Sequence, residues 1–270
     1  LNANLGFEKN SFSTLIQVSK AHVDGWRPQS QNDQGSVRGL FTYKINAKDR
    51  LFLDSSYASN SNGGPGYVVG KVNTGNLQAT RPINLNERYV GNTSRHLLGI
   101  VKEVSSGLMF ENEFSISYTN RTSYTPAYGA DYGSASDYTD VYEITPRFKK
   151  QWQYFGTSIL GFDLREENYT SKTIGVTSRE AQLRNTAPYF YQRINLNDQI
   201  EFFAGIRHQN QSANARDVPS GLRAQRTQSA SANEIGISYR VNKNNLDKFY
   251  IKTSSSYRFA NTDEYWASTA

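Results

Sequence analysis

The chain has 270 residues, of which 37% are hydrophobic, and a mean hydropathy of −0.67, which is low for the well-filled core of a soluble protein of this size. Its net charge of +6 comes from 30 basic residues scattered among 24 acidic ones without a basic run, which argues against nucleic-acid binding. Cysteine is absent, which excludes disulfides and thiolate chemistry, and no apolar stretch approaches the roughly 18 residues of a transmembrane helix.

Segments that alternate apolar with polar residues run through the whole chain. In residues 35–45, Val37, Phe41 and Tyr43 share one face, and Arg38 and Lys44 lie on the other. In chain order we predict twelve strands, near residues 2–8, 12–23, 35–45, 50–59, 93–104, 108–118, 140–152, 155–167, 182–194, 199–210, 229–241 and 248–259. All but the first reach the roughly 9 to 11 residues that a tilted membrane-spanning strand needs.

The two faces of these strands have different chemistry, which suits lipid on one side and water on the other. The residues predicted to face lipid are Val37, Phe41, Tyr43, Phe110, Phe114, Ile116, Phe202, Ile206, Ile235, Ile237 and Tyr239. The charged residues predicted to face a wet lumen are Arg38, Arg165, Arg207, Arg240, Glu111, Glu113, Glu201 and Glu234. Charges at such positions have three alternative interpretations. They form ion pairs across strands, they line a path for an anionic substrate, or they contact a plug.

The connections between the predicted strands alternate between short and long. The short ones lie near residues 9–10, 46–49, 105–107, 153–154, 195–198 and 242–247, and most contain Asn, Asp or Gly. The long ones cover residues 24–34, 60–92, 119–139, 168–181 and 211–228. Bacterial outer-membrane barrels place short turns in the periplasm and long loops outside the cell, so the sequence predicts an antiparallel transmembrane β-barrel. An ordinary β-rich soluble protein is the alternative.

Both ends of the chain look cut. It begins inside an alternating segment without a signal peptide, and residues 261–270 read as the start of another long loop. Because an unclosed sheet in lipid leaves backbone groups unpaired, we expect residues 1–270 to be a piece of a larger barrel.

Three local patterns carry a family resemblance. They are Asp24-Gly25-Trp26-Arg27, Gly63-Gly64-Pro65-Gly66 and the stretch from Ser256-Tyr257-Arg258-Phe259 to Asp263-Glu264-Tyr265. Together with the strand pattern, they resemble the barrel of a TonB-dependent outer-membrane receptor. The resemblance implies a barrel of 22 strands, of which this chain is the middle portion. It also implies active uptake of a scarce, bulky nutrient, with a ferric siderophore as the first candidate and haem or a cobalamin as alternatives. Energy would come from the TonB system through a plug region that this chain lacks.

The predicted extracellular loop at residues 119–139 is rich in tyrosine. Tyr124, Tyr128 and Tyr132, with Arg121 beside them, can stack on and pair with an anionic iron chelate. The alternative interpretation is that these tyrosines pack the loop onto itself or form the outer aromatic girdle.

No pattern in the sequence points to catalysis, a cofactor or a metal site. His22, His96 and His208 lie far apart without a second ligand at metal-binding spacing. An outer-membrane phospholipase or protease needs a nucleophile, a base and an orienting residue, and no such spacing stands out. A passive porin shares the strand pattern, so it stays open as an alternative. A globular plug encoded before Leu1 would favour the receptor over the pore.

Overall fold

The described residues contain thirteen strands, which form one antiparallel sheet. The structure is a computed structural model that describes residues 1–25, 30–63, 88–124, 134–153, 156–173, 175–241 and 247–259. The strands are β1 (Asn2–Lys9), β2 (Phe12–Val23), β3 (Asn32–Lys44), β4 (Arg50–Gly63), β5 (Arg88–Ser105), β6 (Leu108–Tyr124), β7 (Ser134–Ile144), β8 (Arg147–Trp152), β9 (Gly156–Thr173), β10 (Val176–Asn195), β11 (Ile200–Asp217), β12 (Arg223–Arg240) and β13 (Lys248–Ser254). Among the described residues, no helix is long and apolar enough to cross a membrane.

Strands that follow each other in the chain pair with each other, except for β7 with β8, so the antiparallel all-β architecture predicted from the sequence is confirmed. One predicted strand, residues 140–152, is in fact two, because β7 ends before Thr145-Pro146 and β8 begins after it. Proline has no N–H to donate to a ladder and therefore interrupts pairing. Both β7 and β8 lie between β6 and β9, so together they fill one position of the sheet.

The register brings the apolar residues of successive strands into continuous rows on one face. One row joins Leu53, Leu98, Phe114, Ile144 and Leu164, each directly opposite the next. All of the residues predicted from the sequence to face lipid lie on this apolar face. Many of its side chains are well exposed, which is far more apolar surface than a soluble monomer leaves in contact with water.

The opposite, polar face is the more sheltered one. The buried side chains of the described part of the sheet all belong to it: Leu97, Ser115, Ala181, Leu183, Ala187, Gln211, Ala213, Ala215 and Ser238. Side chains converge on the inside of a curved sheet and spread apart on its outside. The pattern of burial therefore assigns the polar face to the concave side and the apolar face to the convex side.

The longest strands extend well past the apolar face, and this corrects two of the predicted long loops. Of residues 168–181, those at 168–173 belong to β9 and those at 176–181 to β10. Residues 211–228 belong to β11 and β12 except for 218–222. Both segments are polar on both faces, and such a pattern resembles a loop even where the backbone is paired. The last predicted strand, 248–259, ends at Ser254 instead.

Aromatic rings on the polar face lie flat against glycines of the neighbouring strand. The directly opposite pairs are Phe52 with Gly99, Tyr189 with Gly161 and Phe203 with Gly236. A Cβ added to Gly99, Gly161 or Gly236 would come within 2.1, 2.1 and 2.3 Å of the opposite ring. The aromatic ring covers the glycine backbone, and because the ring lies flat it projects little above the concave surface.

A hydrogen-bonded network joins the turn between β3 and β4 to the turn between β5 and β6. Asp49 accepts a hydrogen bond from the Glu103 backbone N–H at 2.7 Å and another from the Asn46 side-chain amide at 2.8 Å. Lys48 Nζ donates to Glu103 at 2.7 Å, and the Gly107 N–H lies 3.4 Å from the same carboxylate. The two turns are therefore held to each other as well as to their own strands.

The Asp49 carboxylate makes the stability of this network depend on pH. The backbone N–H of Glu103 and then the amide of Asn46 lower the pKa of Asp49 in the folded protein. Its contribution is thus present above the pKa of the unfolded chain, about 3.9, and is lost as pH falls through the lower, folded pKa. We expect Asp49→Asn to flatten the pH dependence of the urea unfolding midpoint below about pH 4, measured in detergent. Ser106→Ala, in the adjoining turn, should leave that dependence unchanged.

Candidate functional site

The charged residues predicted for the lumen all lie on the concave polar face. The register aligns Arg38 with Ser56, Glu111 with Arg147, Arg207 with Ala232, and Glu201 with Ser238, all on that face. The other predicted charges also lie on the polar face, because side chains along a strand alternate between its two faces: Glu113, Arg165, Glu234 and Arg240. This shared face is the candidate functional site.

At one side of the polar face, β3 and β4 carry a two-point ion pair. Arg38 donates from Nε to Asp54 Oδ1 at 2.8 Å and from Nη2 to Asp54 Oδ2 at 2.6 Å. The two residues lie diagonally across neighbouring strands, a spacing that a long arginine side chain spans. Fork-to-fork geometry fixes the direction of the guanidinium along the face.

At the centre of the polar face, two arginines flank one tyrosine. Arg147 binds Glu111 with Nε to Oε2 at 2.6 Å, and Arg207 pairs with Asp163. Tyr189 lies between them in the row that joins Arg147, Gly161, Tyr189 and Arg207, and the Arg207 guanidinium carbon is 5.8 Å from the centroid of its ring. Each arginine is half-buried and held by a carboxylate, so this central cluster is a rigid, polar platform.

The far side of the polar face, on β10 to β13, is strongly basic. It carries Arg179, Arg193, Arg207, Arg226, Arg240, Lys248 and Lys252 against Glu201, Asp217 and Glu234. Glu201 lies 3.6 Å from Arg193 and 3.2 Å from Lys248, and Glu234 is 2.6 Å from Lys252. The excess of cations gives this side a positive potential that attracts anions.

The residues predicted to contact a ligand are not brought together by the described part of the structure. Arg121 and Tyr124 both lie in β6, where Arg121 is on the polar face and Tyr124 on the apolar face. The ring of Tyr124 lies against Arg88, 5.1 Å from its guanidinium carbon. Tyr128 and Tyr132 lie outside the described residues. Ligand contact by these four residues stays a prediction.

Sequence reasoning missed several members of the central cluster. Arg147 follows the interruption at Pro146, but it keeps the alternation, because Phe148 lies on the apolar face and Arg147 on the polar one. Tyr189 breaks the rule that aromatic rings belong to the apolar face, and the signal for it is the glycine opposite, Gly161. That signal becomes visible only when the pairing of β9 with β10 is known.

Beyond β13 the chain turns onto the polar face, which the sequence had not indicated. Tyr257 Oη donates to Gln209 Oε1 at 3.2 Å, and Tyr257 lines the same cleft as Arg207. Its ring lies 5.2 Å from that of Phe259. Residues 255–259 therefore partly cover the central cluster.

The histidines lie on the apolar face at its borders. His22 is 2.7 Å from both Asp24 and Asp33, His96 is 2.8 Å from Ser55 Oγ, and His208 is 2.9 Å from Ser231 Oγ. Within the described residues, no group of three or more His, Cys, Asp or Glu side chains is arranged to hold a metal ion.

Comparison with known proteins finds likeness in structure. No family model matches the sequence, and no curated protein is similar to it. The ferric citrate transporter FecA in its unliganded form matches 94% of this chain with a TM-score of 0.77 at 17% identity. The ferric-catecholate import receptor Fiu from E. coli K12, in its open form, matches 94% with a TM-score of 0.74 at 11% identity. The ferripyoverdine receptor of the outer membrane of Pseudomonas aeruginosa matches 90% with a TM-score of 0.69 at 12% identity.

The chain spans 40%, 51% and 38% of these three proteins, which is less than two thirds of each. At such low identity the likeness concerns the fold, and it agrees with the resemblance found in the sequence. The described sheet, with its apolar convex face and charged concave face, has the fold of the barrel wall of TonB-dependent receptors.

Proposed function

We propose that this chain is the barrel portion of a TonB-dependent receptor in the bacterial outer membrane that takes up a ferric siderophore. The observation that carries the proposal is the two-faced sheet, whose convex face is apolar in continuous rows and whose concave face is charged. Lipid suits the first face and a water-filled lumen suits the second. Most of the solved structures that it matches are receptors for iron chelates. The partners we propose are therefore the ferric siderophore, the membrane lipids and the TonB system acting through a plug.

The charge distribution of the concave face supports an anionic nutrient. The basic side at β10 to β13 attracts ferric chelates that carry negative charge. Arg121 lies on the same face near the end of β6 and is well exposed, so it is placed to meet such a ligand as it enters. The central cluster below it would form part of the wall of the path.

Binding of ferric chelates tests this proposal. Ferric citrate and a ferric catecholate are added to the purified chain folded in detergent, and quenching of the protein fluorescence is recorded. We expect saturable binding that Arg121→Gln weakens about tenfold, because one charge-assisted contact is lost. Arg88→Gln is the matched control, since Arg88 lies in the neighbouring strand on the opposite face and should leave binding unchanged.

The same preparation distinguishes a receptor from a passive pore. A passive channel gives a steady ion conductance in planar bilayers and no saturable binding of either chelate. That pair of results would contradict the proposal and favour a diffusion channel. Equal weakening by Arg121→Gln and Arg88→Gln would refute the placement of the ligand on the concave face.

A further inference from the structure

A hollow on the concave face crosses β3 to β6 at the ends of the strands that lead to the long connections. Its volume is about 660 Å³, which is within the usual range of small-molecule sites. The floor is one row of small residues, Ser36, Ala58, Thr93 and Thr119, each directly opposite the next. Because these side chains are short, the concave surface is recessed along the row. We call this feature the polar hollow.

A row of hydrogen-bonding side chains borders the floor of the polar hollow. It joins Gln34, Asn60, Gly91 and Arg121, each directly opposite the next. The Asn60 side chain extends over Gly91, since a Cβ added to Gly91 would lie 2.3 Å from Asn60 Oδ1. The amide is therefore directed along the row toward Arg121. Gln34, Asn60 and Arg121 are exposed, and their side chains have no hydrogen-bond partner among the described residues.

The charges around the polar hollow favour an anionic group. None of the described residues that line it is Asp or Glu. Asp137 lies directly opposite Arg121 but outside the lining, and its carboxylate accepts a hydrogen bond from Tyr169 Oη at 2.8 Å. Asp54, further along β4, is held by Arg38 at 2.6 Å. Arg121 forms no ion pair with a described residue, so its guanidinium is available to a carboxylate, which its fork of donors fits.

The polar hollow has no aromatic wall. None of the described residues that line it is Phe, Tyr or Trp, and His22, which borders it, has its side chain on the convex face. Aryl chelates present flat ring faces, which aromatic side chains bind by stacking. A hollow without such rings gives an aryl chelate no stacking partner.

The uncharged groups of the polar hollow suit a ligand that is rich in oxygen. Thr93 and Thr119 carry hydroxyl oxygens 3.3 Å apart in the floor, and the Ser19 and Ser36 hydroxyls are 2.7 Å apart. Hydroxyl and amide groups both donate and accept hydrogen bonds, so they match the carboxylate and hydroxyl oxygens of an aliphatic acid.

We propose that the polar hollow binds the ferric chelate of an aliphatic hydroxycarboxylic acid in preference to an aryl chelate. The inference rests on the proposed uptake of a ferric chelate, and it names the chemistry of that chelate. Arg121 binds one carboxylate group, and the amides of Gln34 and Asn60 donate to further carboxylate oxygens of the same chelate. The small residues of the floor leave the space that the chelate occupies.

The test compares two probes on the whole chain folded in detergent. They are ferric citrate, which is a hydroxycarboxylate chelate, and the ferric complex of catechol, which has aryl rings and no carboxylate. Binding of each is measured by isothermal titration calorimetry. We expect the wild type to bind ferric citrate about tenfold more tightly than the catechol complex, because only citrate offers carboxylates to Arg121 and the amides.

Two variants locate the selectivity in the polar hollow. Asn60→Leu keeps the size of the side chain and removes its amide, so it should weaken ferric citrate about tenfold, or about 1.4 kcal/mol, and leave the catechol complex unchanged. Gly91→Ala should weaken ferric citrate about threefold, because the new Cβ displaces the Asn60 amide from its place in the row. Asn120→Leu is the matched control, since Asn120 lies in β6 on the convex face. The urea unfolding midpoint of each variant shows whether the sheet remains folded.

The outcomes separate this inference from the proposed function. Saturable binding of neither probe would refute the proposed function and this inference with it. Equal affinity of the wild type for both probes, or tighter binding of the catechol complex, would overturn the inference and leave the receptor proposal standing. The inference is also wrong if Asn60→Leu weakens both probes equally, or if Asn120→Leu weakens ferric citrate as much as Asn60→Leu does.

Discussion

Replacing Phe114 with arginine is expected to destabilise the chain by about 2 to 4 kcal/mol when it is folded into lipid bilayers. Phe114 lies in the middle of an apolar row, between Leu98 and Ile144. Its side chain is 40% exposed, so hydrocarbon would cover it if the convex face lies in a membrane. An arginine side chain at that depth must either lose its hydration or extend to the membrane–water interface, and both lower the stability of the folded protein.

Urea-dependent folding into lipid vesicles measures this effect. Ser117→Arg is the control, because Ser117 lies in the same strand on the polar face and should cost much less. A loss near zero for Phe114→Arg, or equal losses for the two variants, would show that the convex face is not in contact with lipid.

Replacing Gly161 with alanine should destabilise the sheet by about 1 to 3 kcal/mol through overpacking. The added Cβ would lie 2.1 Å from Tyr189 Cζ, so the ring must move away from its flat position on β9. Because Tyr189 lies between Arg147 and Arg207, the displacement would also disturb the central cluster. Gly6→Ala is the control, since no atom lies within 4 Å of a Cβ built there.

A double-mutant cycle tests the cause of this effect. Tyr189→Ala removes the ring that the new Cβ meets, so adding Gly161→Ala to it should cost much less than in the wild type. Unfolding in denaturant provides the four free energies of the cycle. Additive losses would mean that the glycine matters for another reason, such as backbone conformation, and not for the space that the ring occupies.

The fold could be predicted in large part because its strongest signal is local. Residues such as Val37, Phe41 and Phe114 alternate with polar neighbours, and a period of two assigns every residue of a strand to a face without knowledge of its partners. The polar ends of β9 to β12, at residues 168–173, 176–181, 211–217 and 223–228, were not predicted as strands, because they are polar on both faces and lack that signal. Their pairing is visible only in the sheet, where each strand satisfies the backbone of the next.

The candidate site was predicted less completely. The charged face was identified residue by residue, but the partners of those charges were not. Asp163 and Arg207 are 44 residues apart in the chain, and they meet because the registers of β9, β10 and β11 happen to align them. The sequence predicted that Arg121 and Tyr124 belong to one ligand site. The two residues are three positions apart in one strand, and an odd separation places them on opposite faces.

The sequence by itself determined which side chains are apolar and on which face of a strand each of them lies, since both follow from residue type and the local geometry of an extended backbone. The sequence also predicted a lumen on the polar side, but only the tertiary structure showed the curvature of the sheet and decided that Tyr189 rests on Gly161 and that Arg216 faces Arg223. Those relations depend on strand register and sheet curvature, which arise from pairing between residues distant in the chain and leave no periodic trace in it.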